Sequence, residues 1–370
     1  MNRKFLLVTT LCAFIFMAGC SEEGIKVPLE DIALVGIMGF DYIDDSKVKL
    51  SVAIPQYSPE AKKDTLVFSV ATELVSKGVV DIEALSDKKI QFNQLRVVLI
   101  NEEYARKGPI KETIEHLYRN PESGDKVLIA IVKGNAEELL NGDYPDKPNI
   151  NFFLYDLLEP TINTAFNPNT NIHDFIYTVT NPVFDPIIPV IEKKGERIEI
   201  TGVALFKNDN MFETIPPNEA HIIQDIQGHK KLAPLSLELH QGHGKESLML
   251  DLVRSKVHIE SNKSVKSPKL TITLSIKGSL IDYRGERYNH LTSLENLSEL
   301  ENDINKQYEQ NIIQFLDKLK EQKIDPIGLS ENFRMYYEGK WTKKMTEETM
   351  SKLKIDIKVN TSIISTGNLN

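Results

Sequence analysis

The chain has 370 residues, 41% of them hydrophobic and 26% charged, with a formal net charge of −9. This is the composition of a folded globular protein with room for two or three domains. The acidic balance argues against nucleic acid as a partner and against a broad electrostatic grip on anionic lipid.

The first element is a leader. Arg3-Lys4 precedes the apolar run Phe5 to Met17, and the small residues Ala18-Gly19 lead into Cys20. A positive start, an apolar core of about a dozen residues and a small-residue end form the pattern of a secretory signal. The core is short of the roughly 20 apolar residues that span a bilayer. Met17-Ala18-Gly19-Cys20 is similar to a bacterial lipobox, with Met17 where Leu is usual. That resemblance implies cleavage after Gly19 and a lipidated Cys20, an N-palmitoyl, S-diacylglycerol cysteine. Two acyl chains anchor a protein stably where one is marginal. Residues 1–19 are then signal peptide and 20–28 a lipid-anchored tether. Cys12 and Cys20 are the two cysteines of the chain, so the exported body is expected to lack a thiol for catalysis, a disulfide or a Cys ligand. No second long apolar run follows, which places the body outside the cytoplasm.

Asp31 to Phe40 reads as a buried strand. Val48, Leu50, Val52 and Ile54 alternate in a second strand, and the acidic turn between the two makes a hairpin. Leu66, Val67, Val70 and Leu74 predict a helix over Leu66–Lys77, stopped at Gly78. Leu95–Ile100 and Val127–Val132 are continuous apolar runs, the signature of fully buried strands. Pro109–Tyr118 and Asn135–Leu140 read as helices. Strands alternating with helices predict a partly parallel sheet.

Residues 141–190 are rich in Pro and Asn, with Phe152–Leu158 as a helical island and irregular chain elsewhere. Strands resume at Arg197–Phe206, a helix follows at Asn218–Gln227, and Leu235, Leu237 and Leu239 alternate in a strand. Ser247–His258 and Leu270–Ile276 continue as strands, with Gly278–Tyr283 extending the last. Leu291 to Leu319 steps by three or four residues and predicts the longest helix, with Thr292 and Glu295 as a capping box. Ile355, Ile357 and Val359 form a closing strand. The fold class is therefore mixed α/β to α+β, with β-sheets packed by helices and one long C-terminal amphipathic helix. The expected domains are an N-terminal α/β domain at 29–190, a middle, mainly-β domain at 197–285 and a C-terminal α+β domain at 286–370.

Chemistry-bearing motifs are absent: there is no GxSxG, Walker A, GxGxxG, HExxH or EF-hand loop. The reading is of a non-enzyme with no catalytic, cofactor-binding or metal-binding residues. His240-Gln-Gly-His243, with His229 and His258 nearby, is better read as a polar turn than as a metal site, for it has no adjacent acidic ligand. Asp44-Asp45 reads as a solvated hairpin tip, and Glu299 and Glu301 as exposed partners for lysines. Tyr336, Tyr337 and Trp341 read as a packed edge in preference to a binding patch.

An ordered set of segments then resembles a family. It comprises the lipobox, Asp31-Ile-Ala-Leu-Val-Gly-Ile-Met-Gly-Phe-Asp41, Gln94-Leu-Arg-Val-Val-Leu-Ile-Asn-Glu102 and Tyr118-Arg-Asn-Pro121. Further on come Gly202-Val-Ala-Leu-Phe-Lys207, Leu252-Val-Arg-Ser-Lys-Val257, Lys323-Ile-Asp-Pro-Ile-Gly328 and Trp341. Together they are similar to the Ger(x)C spore germination lipoproteins, the C subunits of nutrient germinant receptors. Departures are Ser21-Glu22 where Trp-Asp is usual, Asp64 where Gly is usual and Gln94 where His is common. The resemblance implies a non-enzymatic three-domain lipoprotein on the outer face of the spore inner membrane. It implies two integral-membrane partner subunits, of A and B type, and a nutrient germinant as an unassigned ligand. A solute-binding lipoprotein of a transporter is the alternative that composition leaves open.

Overall fold

The computed structural model describes residues 28–56, 63–147, 149–159, 167–230, 232–239, 245–287, 291 and 293–366. Cys20, Thr292 and the pair His240 and His243 lie outside the described residues.

The chain opens with β1 (Ile32–Leu34), β2 (Ile37–Asp44) and β3 (Lys47–Pro55). β2 and β3 form the expected antiparallel hairpin, turning at exposed Asp44 and Asp45. The next strand, β4 (Thr65–Thr72), replaces most of the helix expected over Leu66–Lys77; helix α1 begins at Val75 and runs to Glu83. Positions 66, 67, 70 and 74 meet helical spacing, but Thr65, Val67, Val70 and Thr72 are β-branched and favour an extended chain. Antiparallel pairing of all eight residues with β3 decides the outcome.

β5 (Lys89–Gln91) pairs in parallel with β1. Then come β6 (Val97–Asn101), α2 (Glu102–Lys107), α3 (Ile110–Arg119), β7 (Leu128–Lys133), α4 (Ala136–Leu140) and α5 (Ile150–Leu158). α2, unforeseen from sequence, starts where the Asn101 side chain accepts from the Tyr104 N–H at 2.9 Å. The Pro- and Asn-rich stretch also holds a helix not expected there, α6 (Ile172–Thr180), capped in the same way by Asn171. β8 (Ile187–Lys194), β9 (Arg197–Lys207) and β10 (Asn210–Ile215) complete this half.

These strands build one eight-stranded sheet in the order β10-β9-β8-β7-β6-β2-β3-β4. β2, β6, β7 and β8 run parallel at its centre, and antiparallel pairs flank them. Every residue of β6 is buried, as its unbroken apolar run requires when helices cover both faces of the sheet. The expected division at 190–197 falls inside the β8–β9 hairpin, so the sheet crosses it.

The second half contains α7 (Pro217–Ile226), β11 (Leu235–Leu239), β12 (Glu246–Ser261) and β13 (Lys269–Arg284). It ends with α8 (Leu294–Gln322), α9 (Glu331–Arg334), α10 (Lys343–Lys352, also unforeseen) and β14 (Lys354–Ser365). The sheet order is β11-β12-β13-β14, with β13 and β14 parallel. Leu270, Ile272, Leu274, Ile276 and Leu280 of β13 are all buried against Leu300, Ile304, Tyr308, Ile312 and Phe315 of α8 in one cluster. Residues 197–285 and 286–370 therefore do not keep separate cores. β13 runs unbroken through Gly278, where a Cβ would come within 3.2 Å of the Asp251 carbonyl oxygen and the ladder shifts register. α8 closes on Lys323 in the left-handed region, φ 59°.

α8 lies along the outer edge of β14. Glu301 Oε1, Asn305 Oδ1 and Glu309 Oε1 accept from the backbone N–H groups of Ile363 (2.7 Å), Thr361 (2.7 Å) and Val359 (2.8 Å). Glu301 is thus a partner for the backbone and not for a lysine, while Glu299 remains exposed. A bare strand edge carries a row of unpaired amides, and this row is taken up by side chains one helical turn apart.

Candidate functional site

Candidate chemistry is used up inside the fold. Among the described residues, no three His, Cys, Asp or Glu side chains gather as a metal site would need. His258 is exposed on β12 beside Glu260, 3.1 Å away, and His229 borders the cleft between the two halves.

Two buried polar networks sit in the second half. His221 Nε2 lies 3.1 Å from the Ala233 carbonyl oxygen, and Nδ1 lies 3.2 Å from Asp225 Oδ2. Tyr308 of α8 donates to the same Asp225 carboxylate. Burial and that carboxylate hold the Tyr308 phenol well above its ordinary pKa. His, Asp and Tyr in contact could serve proton transfer, but His221, Asp225 and Tyr308 are all enclosed at 1% exposure or less. In the other network Arg287 joins Glu246 of β12 to Asp303 of α8 (2.9 Å), and Tyr283 donates to Glu246. The first network ties α7 to α8 and to the loop before β11, and the second ties β12 to α8.

The junction of the halves is a third such cluster. Asp185, 1% exposed, leads into β8. It accepts from Lys343 Nζ at 2.7 Å, the Asp325 N–H at 2.8 Å and the Asn208 N–H at 3.2 Å. Asp325 in turn accepts from the N–H groups of Gly328, Leu329 and Ser330. Burial pushes the Asp325 carboxyl up, against the pull of those three donors. Trp341, 6% exposed, donates to Thr346 Oγ1 at 2.8 Å, and that hydroxyl donates to the Pro182 carbonyl at 2.7 Å. Beside these bonds lies a cleft of 240 Å³, bordered by Tyr177, Phe184, Ile187, Gln224 and His229.

The surface carries the remaining features. The aromatic trio of the sequence divides: Trp341 packs inside, whereas Tyr336 is 54% and Tyr337 40% exposed. Lys263 Nζ sits 4.5 Å over the Tyr336 ring. At the opposite end of the chain, a cleft of 550 Å³ lies between β1 and the β3–β4 end of the large sheet, bordered by Ile32, Leu34, Ile54 and Leu66. β1 begins four residues after Pro28, so this pole is where the N-terminal segment enters the fold. No described helix is long and apolar enough to cross a membrane. Taken together the geometry offers faces and clefts for binding. Sequence reasoning missed Asp185, Asp325 and Lys343, because their roles exist only once β8, the turn after α8 and α10 meet.

Comparison with known proteins covers both halves. The model of the spore germination protein N-terminal domain matches residues 26–193, and that of the spore germination B3/GerAC-like C-terminal domain matches residues 201–367. Spore germination protein GerQC of Bacillus cereus is 24% identical over 353 residues, spanning 95% of this chain and 96% of that protein. Spore germination protein KC of Bacillus subtilis (strain 168) is 23% identical over 400 residues, spanning 99% and 97%. Among solved structures, the crystal structure of the GerBC protein superposes with a TM-score of 0.57 at 16% identity, covering 88% of this chain and 96% of that one. At that identity the likeness speaks for the fold.

Proposed function

The chain belongs to the Ger(x)C family of spore germination proteins, and from that premise we propose that it is the lipid-anchored subunit of a nutrient germinant receptor. It acts by contact with protein partners, two integral-membrane subunits of A and B type, and not by catalysis. The observation that carries the reading is the pairing of a full-length match to spore germination domains with the lipobox at Cys20. Cleavage after Gly19 and acylation of Cys20 would leave eight residues before Pro28, at most about 28 Å of extended chain. The folded body would then stand close to the outer face of the cell membrane or spore inner membrane. The acidic surface supplies no alternative grip on lipid.

The test has two parts. Cys20→Ala should move the protein from the membrane to the soluble fraction; a variant that stays bound in high salt would refute the anchor. Affinity capture of the wild-type protein from detergent-solubilised spore membranes should bring down two multispanning proteins in fixed ratio. A permease with an ATPase would establish the solute-binding alternative instead. That alternative needs two lobes closing on a hinge, and the Asp185–Lys343 and Asp185–Asp325 bonds tie the halves across their cleft.

A further inference from the structure

The two larger sheets have four edges, and three are blunted. β14 is covered by the acceptor row of α8. β10 has a register shift between Met211 and Glu213, a charge at Glu213, and its Phe212 carbonyl taken by Arg106 at 2.6 Å. β11 carries Glu238, paired with Lys245. Bulges, charges and covering helices are how sheet proteins prevent edge-to-edge pairing. Among the described residues, β4 has none of these devices. Its sequence, Thr-Leu-Val-Phe-Ser-Val-Ala-Thr, is uncharged and free of proline over eight residues.

The register fixes which groups point outward. Gln56 donates to the Asp64 carbonyl, so 56 and 64 are a hydrogen-bonded pair, and so is every second pair along the ladder. Leu66, Phe68, Val70 and Thr72 therefore bond to β3. The backbone groups of Thr65, Val67, Ser69 and Ala71 point away from the sheet, and among the described residues none of them takes a backbone hydrogen bond. Pro55 agrees with this assignment, for it sits opposite Thr65 in a position that needs no N–H.

We propose that β4 is a self-association edge, on which a second copy of this chain pairs its own β4 in antiparallel sense across a two-fold axis near Phe68. The two eight-stranded sheets then join edge to edge. Three observations select a second copy as the occupant. An uncharged strand meets no like charge when it opposes itself. The two-fold sets Thr65 opposite Ala71 and Val67 opposite Ser69, all small, and sets Phe68 against its own equivalent in a non-hydrogen-bonded pair, where side chains lie closest. The apolar features flanking β4 lie at its opposite ends. The cleft bordered by Ile32, Ile54 and Leu66 is at the start of the strand, and Leu74, 67% exposed, follows its end. An isologous contact places each of these features beside the other, twice. A ladder of eight residues is short of the roughly 800 Å² per partner that stable interfaces bury, so the dimer is weak, with a dissociation constant on the order of micromolar.

The test is sedimentation equilibrium of the full chain in detergent across a concentration series from well below to well above that value. The wild type should pass from monomer to dimer. Ala71→Pro removes an outward N–H and leaves the β3 ladder intact; Ala71→Glu charges the edge while facing Lys49 on β3. Each should weaken the dimer by tenfold or more with an unchanged melting temperature. A wild type that stays monomeric throughout, or a dimer indifferent to both variants, overturns the proposal. So does a monomer that forms a complex with a different membrane protein that Ala71→Pro breaks, because the edge then serves another occupant.

Discussion

At the scale of single residues, the start of α4 shows two carboxylates pulled in opposite directions. Asp41 accepts from the N–H groups of Ala136 (2.6 Å) and Glu137 (2.9 Å), where the helix presents its positive end. Burial nevertheless raises its carboxyl above the ordinary 3.8. Glu137 is held below its ordinary 4.5, first of all by the Lys49 ammonium 2.7 Å away. A folded value below the unfolded one means that stability from Glu137 is present above pH 4.5 and is lost as the pH falls through the folded value. Asp41 has the reverse sign: its contribution is complete below pH 3.8 and declines as the pH rises through its folded value. Lys49→Met should therefore destabilise at pH 7, by up to about 1 kcal/mol for so exposed a pair, and much less at pH 3. Thermal melts of both proteins at the two pH values check this. An equal loss at both would show that the ion pair is not the source. The Lys49–Glu137 pair spans 88 positions of sequence and left no trace there.

At the scale of elements, the difference between α8 and β4 explains what periodicity can report. The buried row Leu300, Ile304, Tyr308, Ile312 on α8 was legible because one side of that helix is apolar and the rest is not. The neighbouring row Glu301, Asn305, Glu309 looks in sequence like any solvated face, since spacing records direction and not what lies there. β4 failed for a different reason: a short apolar run fits both periods, and only its pairing with β3 separates them. The acceptor row carries an expectation of its own. Asn305→Leu leaves the Thr361 N–H without its acceptor and should cost about 1–3 kcal/mol. Urea unfolding gives the loss, and hydrogen exchange at Thr361 should accelerate more than at neighbouring amides. Unchanged exchange there would mean that the bond contributes nothing.

At the scale of the molecule, the two halves meet through Asp185. Its neighbours Phe184 and Pro186 stand in the Pro-rich stretch that reads from sequence as irregular chain. The parallel centre of the large sheet was legible from the continuous apolar runs of β6 and β7. The sheet's extension to β10 was not, because hairpin strands after a Pro-rich segment fit equally well in a new domain. Asp185→Ala strips two backbone N–H groups of their acceptor and leaves Lys343 with the Phe184 carbonyl alone of the two acceptors it has at the junction. Calorimetry of the wild type should give one transition. The variant should give two, as the halves melt apart. A single transition in the variant would place the coupling elsewhere along the junction.

The row on α8 also works as a vernier. Four residues of helix advance about 6 Å, and two residues of strand about 6.7 Å. The two scales slip by about 0.7 Å at each division, so a fourth mark would sit about 2 Å out of line, beyond the reach of a sound hydrogen bond. The positions that would carry further marks are Leu297 and Ile313, neither of which can accept. Toward the start of β14, where the scale runs out, the strand bears Lys354, Asp356 and Lys358. Charge guards the stretch of edge that the helix cannot measure, and lengthening either element would not extend the graduated part.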